Sequence, residues 1–195
     1  ALPAAMFIKR FSYKKGILLG LGLYATGALL FIPAAASGTF TPFLLAYFIL
    51  TCGLSFLETS ANPFILSMGE QENATRRLNM AQAFNPIGSI LGMWVAMHFI
   101  QARLNPLSTS ERALLDDASF EAVKAADLGV LIKPYVVIGA VLVVFFIVMA
   151  LTRIPEHKNH SAGVSYAFGP TVKRLFANKS YREGVVAQFF YVGAQ

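Results

Sequence analysis

Charge is what this sequence has least of. Only 13% of its 195 residues are Asp, Glu, Lys or Arg, while 56% are hydrophobic. A water-soluble domain usually carries about 25% charged residues, so the chain has roughly half of what a water-facing surface requires. A bilayer removes that requirement. Cysteine is almost absent: the single Cys52 lies in an apolar run, which excludes an intrachain disulfide and reads as a small buried hydrophobe. The histidines His98, His157 and His160 have no Cys or carboxylate at metal-ligand spacing, so neither a metal nor another cofactor is expected. The net charge of +6 comes from short basic clusters between apolar runs. Those clusters lack the interleaved aromatics of a nucleic-acid face, so nucleic acid is not an expected partner. A secretory leader is missing too. The chain starts at Ala1 and stops at Gln195 within an apolar stretch, and the expectation is a piece of a longer protein.

The charge-free runs organise the chain. Gly16 to Phe40, Leu78 to Ile100 and Pro134 to Thr152 carry no charge, and Thr41 to Met68 carries only Glu58. A helix needs about 20 apolar residues to cross the hydrocarbon core, and lipid leaves an open chain no other spanning structure. The expected fold is an all-α polytopic membrane bundle. Its spans are placed at about 16–36, 43–67, 78–100 and 134–152, after the tail of an earlier helix and before the start of another at 184–195. In the loop at 101–133, Ser108-Thr-Ser-Glu111 and the Leu/Ala-rich stretch after it predict a short surface helix. The segment 153–183 is polar and basic. It reads as a flexible linker from Arg153 to about Ser165, then an interfacial basic helix over Phe168 to Phe176.

Orientation follows from the loops. Those at 9–15, 69–77 and 153–183 hold 12 Lys and Arg, against 4 in the connections at 34–39 and 101–133. The positive-inside rule makes the first set cytoplasmic.

Of ten acidic residues, Glu58 alone lies inside a span. It sits roughly nine residues, or about 14 Å, from the basic end of its helix. An ionised carboxylate at that depth costs at least about 2.5–3.5 kcal/mol. It is therefore protonated, paired, or turned to a watery cavity. One reading is a structural acid bonded to a neighbouring helix; the other is a proton site or substrate ligand. Asn62 shares its helical face, with Ser55 and Thr59 flanking. Pro63 predicts a bend, because it removes a main-chain donor.

In the next span Gln82, Asn85, Ser89 and Gly92 recur at 3-4-3 spacing and form one stripe of polar and small residues. Gly88 and Gly92 form a GxxxG that suits tight helix packing. The alternative is a cavity lining opposite Glu58. Side-chain amides both donate and accept, which matches the vicinal hydroxyls of a neutral polyol. Tyr24, Phe56, Phe84, Trp94 and Tyr191 are available as apolar contacts, though Trp94 reads most simply as packing. A membrane enzyme using Glu58 as a base would need a nucleophile or metal that is not evident, so an enzyme is not expected.

At these residues the chain resembles the fucose:proton symporter family of the major facilitator superfamily. The resemblance is carried by Phe11-Ser-Tyr-Lys-Lys-Gly16, Leu57-Glu-Thr-Ser-Ala-Asn-Pro-Phe64, Arg77-Leu-Asn-Met-Ala-Gln-Ala-Phe-Asn85 and Ala187-Gln-Phe-Phe-Tyr-Val-Gly-Ala-Gln195. It implies twelve helices in two six-helix halves, with a monosaccharide bound between them and carried with protons across a bacterial inner membrane. Residues 1–152 would then belong to the first half, from the end of helix two through helix six. Residues 153–183 would be the cytoplasmic inter-half loop and 184–195 the start of helix seven. Glu58 falls on the family's helix-four glutamate, which acts in sugar binding and proton coupling; Gln82 and Asn85 fall on its helix-five sugar-site amides. Asn62 and Tyr191 are further candidates for contact with sugar. A non-transporting sugar receptor and a transporter of another small solute are the rival expectations.

Overall fold

The computed structural model of the protein describes residues 2–153 and 168–193, and every regular element among them is helical. Two units result, Ala1–His157 and Lys158–Gln195. The first holds α1 (Leu2–Arg10), α2 (Tyr13–Ser37), α3 (Phe40–Ser67), α4 (Ala74–Gln82), α5 (Phe84–Val95), α6 (Thr109–Arg112) and α7 (Asp117–Leu151). The second holds α8 (Phe168–Ala177) and α9 (Lys179–Gly193). After Val95 the third membrane-length helix passes through a π-helical turn, Ala96–Ile100, and a short 3-10 turn. Among the described residues four stretches are long and apolar enough to cross a bilayer: Tyr13–Ser37, Phe40–Ser67, Gln71–Arg103 and Asp117–Leu151.

Helix α2 starts where Ser12 accepts the Lys15 amide at 3.3 Å, satisfying a donor the first turn leaves free. It stops at Gly38, whose φ of 59° suits glycine and whose N–H donates to the Ala35 carbonyl at 3.1 Å. Only Gly38 and Thr39 separate α2 from α3, so the two pack antiparallel. Small residues set how closely. A β-carbon on Gly27 would run into the main chain of Leu50, and one on Gly53 into the main chain of Tyr24. Nearer the start of α2 Ser60, wholly buried, lies against Gly16 and donates its hydroxyl to the Phe56 carbonyl at 2.6 Å. Lipid supplies no hydrophobic drive between helices, so this close contact is what holds them together.

Helix α7 packs along the other side of α2. Gly139 admits Leu29, and Phe31 stacks on Tyr135 with ring centroids 4.0 Å apart. At the opposite end Lys14 Nζ donates to the carbonyls of Ala150 and Thr152 at 3.0 and 2.7 Å. That places a cation at the negative end of the α7 dipole. Helix α2 is thus the middle of a three-helix layer, with Ala28, Phe31, Ala46 and Leu50 at its core.

Helix bounds depart from expectation at two places. The span placed at 134–152 is the later part of α7, which starts at Asp117. Asp116 caps it by accepting the Ser119 amide at 3.3 Å. The residues up to Lys133 include no proline, and Pro134 is accommodated inside the helix. Its 35 residues would measure about 52 Å against a core of about 30 Å, so its early portion stands outside the lipid. The expected surface helix therefore shrinks to α6, which does carry the capping box of Ser108 and Glu111. Likewise α9 begins at Lys179, ahead of 184. The expected linker from Arg153 to about Ser165 lies, past Arg153, outside the described residues.

The loop ahead of α7 is tied to the early part of that helix. Asp127 accepts the Asn105 amide at 2.8 Å and pairs with Arg112 at 2.7 Å. Arg112 also donates to the Leu107 and Asn105 carbonyls, each at 3.0 Å. The Asn105 N–H, and after it the Arg112 guanidinium, hold the Asp127 carboxyl below the usual carboxylate range.

Two outcomes follow from these contacts. Gly53→Leu should destabilise the detergent-solubilised protein by at least about 1–3 kcal/mol, seen as a lower Tm. Gly129→Ala, with open space around it, should leave the Tm unchanged or raise it. A carboxyl depressed in the folded state stabilises above its unfolded pKa and loses that contribution as pH falls through the folded value. The 104–116 loop should therefore become more protease-sensitive on acidification. Asp127→Asn should abolish that acid dependence and cost about 1–2 kcal/mol at neutral pH.

Candidate functional site

The rotation of α3 is fixed by its seam with α2. Ala46, Leu50, Gly53 and Ser60 face that seam and are buried. At 3.6 residues per turn Thr51, Ser55, Glu58 and Asn62 fall on the far side, roughly 120–180° away. Lipid-depth hydroxyls here are satisfied by their own helix. Thr51 donates to the Tyr47 carbonyl and Thr59 to the Ser55 carbonyl, both at 2.7 Å, in the i−4 pattern such side chains favour. Glu58 has no such recourse. It is exposed, and Asn62 beside it half-buried; among the described residues no hydrogen bond or ion pair engages either side chain. Helix α3 continues through Pro63 as one element, although Pro63 cannot donate to the Thr59 carbonyl.

The amide stripe lies on a helix that is broken between its two amides. Helix α4 ends at Gln82 and α5 begins at Phe84. Between them Ala83, at φ −61° and ψ −20°, donates to the Asn79 carbonyl at 2.9 Å. Pro86 accounts for the break: it has no N–H for the Gln82 carbonyl, and its ring crowds that oxygen. The sequence reading had one straight stripe here and missed this interruption, although Pro86 was its signal.

Gln82, Asn85, Ser89 and Gly92 are all exposed, and Ser89 donates to the Asn85 carbonyl at 3.2 Å. A β-carbon on Gly88 or Gly92 would meet nothing within 4 Å. Among the described residues, then, the GxxxG packs against no helix. Helix α4 contacts α3 at the turn between them, where Arg77 donates to the Glu70 and Leu66 carbonyls at 2.9 and 3.4 Å. Helix α5 does not run along α2 or α3. Glu58 and the two amides are thus carried by successive membrane helices, all exposed, with no hydrogen bond joining their side chains among the described residues.

Of the aromatics, Phe56 meets Phe7 edge-on at 6.0 Å, and Phe84 is exposed. Trp94 stacks on His98 at 5.0 Å and meets Phe99, which is packing. Tyr191 belongs to α9 of the second unit, and its side chain is outside the described set. Among the described residues no group of His, Cys, Asp and Glu could hold a metal ion.

The chain is 48% identical over its whole length to the L-fucose-proton symporter of Haemophilus influenzae, covering 46% of it. It is 31% identical, again over its whole length, to the glucose/galactose transporter of Brucella abortus, covering 43%. The crystal structure of an Asn-to-Ala variant of the Escherichia coli fucose:proton symporter superposes with a TM-score of 0.84 at 35% identity, covering 99% of this chain and 48% of that one. The chain spans about half the length of the curated relatives it matches. No protein-family model matches it.

Replacing Pro86 should heal the helix. In Pro86→Ala the restored N–H at position 86 should pair with the Gln82 carbonyl, appearing as a new slowly exchanging amide, slowing exchange at 87 and raising the Tm.

Proposed function

The chain belongs to the fucose:proton symporter family of the major facilitator superfamily, and from that premise we propose that the protein carries a neutral monosaccharide, fucose or a related hexose, with protons by alternating access. Its relatives are transporters, not enzymes, and it is a multi-pass membrane protein. The observation that carries the reading is Glu58: the one acid within the apolar runs 16–40, 41–68, 78–100 and 134–152, exposed and unpaired among the described residues.

Glu58 is the proposed coupling group. Neutral, it can sit at lipid depth; ionised, it costs at least about 2.5–3.5 kcal/mol there unless hydrogen bonds or water receive it. Protonation removes the charge before the cavity changes side. Bound sugar completes the hydrogen bonds of Gln82 and Asn85, each of which offers one acceptor and two donors. The fully loaded protein then crosses more readily than a half-loaded one, and this difference is coupling. Asn62, beside Glu58, and Tyr191 on α9 are further proposed contacts. In the proposed topology residues 1–152 belong to the first half and 184–195 to helix seven. Loops 9–15, 69–77 and 153–183 face the cytoplasm of a bacterial inner membrane. The Brucella abortus relative, a glucose/galactose transporter, favours a hexose other than fucose as the second reading of substrate.

Vesicles containing the full-length protein decide between these roles. Glu58→Gln should still exchange labelled sugar by counterflow yet lose uphill, proton-driven accumulation; unaltered accumulation would refute the coupling role. Gln82→Ala and Asn85→Ala should each weaken sugar binding by about 1–2 kcal/mol, roughly five- to thirtyfold. Uptake screened over fucose, galactose, glucose and N-acetylglucosamine would rank the substrates.

A further inference from the structure

Helix α8 has a job that sugar carriage does not assign. At 100° per residue Leu175 and Phe176 lie on one side of α8, about 100° apart, while Lys173, Arg174 and Ala177 fall opposite. Leu175 and Phe176 are exposed, with 40% and 53% of their surface free. From Phe168 to Arg182 the chain has four bases (Lys173, Arg174, Lys179 and Arg182) and no acid. The first acid is Glu183, which pairs with Lys179 at 3.7 Å.

The position of this helix says what covers it. Only Asn178 separates α8 from α9, and from Gly184 onward α9 carries no charge. The junction is fixed. The Asn178 N–H donates to the Leu175 carbonyl at 3.1 Å, its side-chain oxygen accepts the Tyr181 amide at 3.4 Å, and Phe176 meets Tyr181 edge-on at 5.8 Å. An apolar arc backed by Lys173 and Arg174 therefore lies a little over two turns before the charge-free residues that the proposed topology places in the lipid. A soluble acidic partner would match the cations but would leave Leu175 and Phe176 unaccounted for at the bilayer edge.

We infer that α8 lies in the headgroup layer of the membrane and binds anionic phospholipid, its Leu175/Phe176 arc among the acyl chains and Lys173 and Arg174 on lipid phosphates. Electrostatic attraction adds to apolar burial in such helices, and each base near an anionic surface contributes measurably.

The test uses the full-length protein with Cys52→Ser, reconstituted in phosphatidylcholine vesicles with or without phosphatidylglycerol. Spin labels are placed one at a time at Leu175→Cys, Phe176→Cys and Ala177→Cys, with Val186→Cys as a check that α9 is inserted. In the anionic vesicles positions 175 and 176 should be accessible to oxygen and position 177 to an aqueous nickel reagent. Adding Lys173→Gln and Arg174→Gln together, or high salt, should lower the immersed population roughly tenfold or more. Equal aqueous access at 175 and 177 would overturn the proposal. So would a label at 175 shielded from both reagents and indifferent to phosphatidylglycerol, which would mean that α8 docks on protein.

Discussion

The architecture of the first unit rests on main chain meeting main chain between α2 and α3. Gly27 lies against the backbone of Leu50 and Gly53 against that of Tyr24, so neither helix can rotate without driving a side chain into its neighbour. In water such a seam would supplement apolar burial. In lipid, where the surroundings are as apolar as the helix surface, close approach is the main source of preference for one rotation over another. That preference has a chemical consequence. With Ala46, Leu50, Gly53 and Ser60 committed to the seam, Glu58 and Asn62 must lie on the side away from α2.

Polar groups at this depth divide into two kinds. Hydroxyls satisfy themselves on their own helix, as Thr51, Thr59 and Ser60 do. A carboxyl or a carboxamide cannot do so as readily from the middle of a helix, and each therefore requires something outside its own segment. Glu58, Asn62, Gln82 and Asn85 are of this second kind. Two of them immediately precede a proline, Pro63 and Pro86, and only the second proline interrupts its helix. The two amides of the stripe consequently flank an interruption in the hydrogen-bond ladder of their helix.

Much of this was legible in the sequence because lipid makes charge so informative. The four spans could be placed from charge-free runs alone, and Glu58 stood out as the one acid within them. What could not be read were features decided by contact or by local geometry. Nothing in the pattern of α7 distinguished Asp117–Lys133 from a loop carrying a separate surface helix. The run is charged, and the helix persists there because Asp116 caps it and Asp127 fastens the adjoining loop to it. The fate of Gly88 and Gly92 was equally hidden. Their spacing suits a helix contact, yet both face open space. Spacing records what a surface could pack against, not what lies beside it.

The clasp of Lys14 on the end of α7 bears on where the first unit can give way. Sliding α7 along α2 by one helical turn would break both bonds to the Ala150 and Thr152 carbonyls and unstack Phe31 from Tyr135 at the far end. Helices α2 and α7 are in effect riveted at both rims, and α3 is seamed to α2 by its glycine contacts. The remaining membrane helix has no rivet along α5, and it is already interrupted at Ala83. Flexing at that interruption disturbs no described side-chain contact of the three-helix layer, so displacement within this unit is cheapest where the two candidate amides meet.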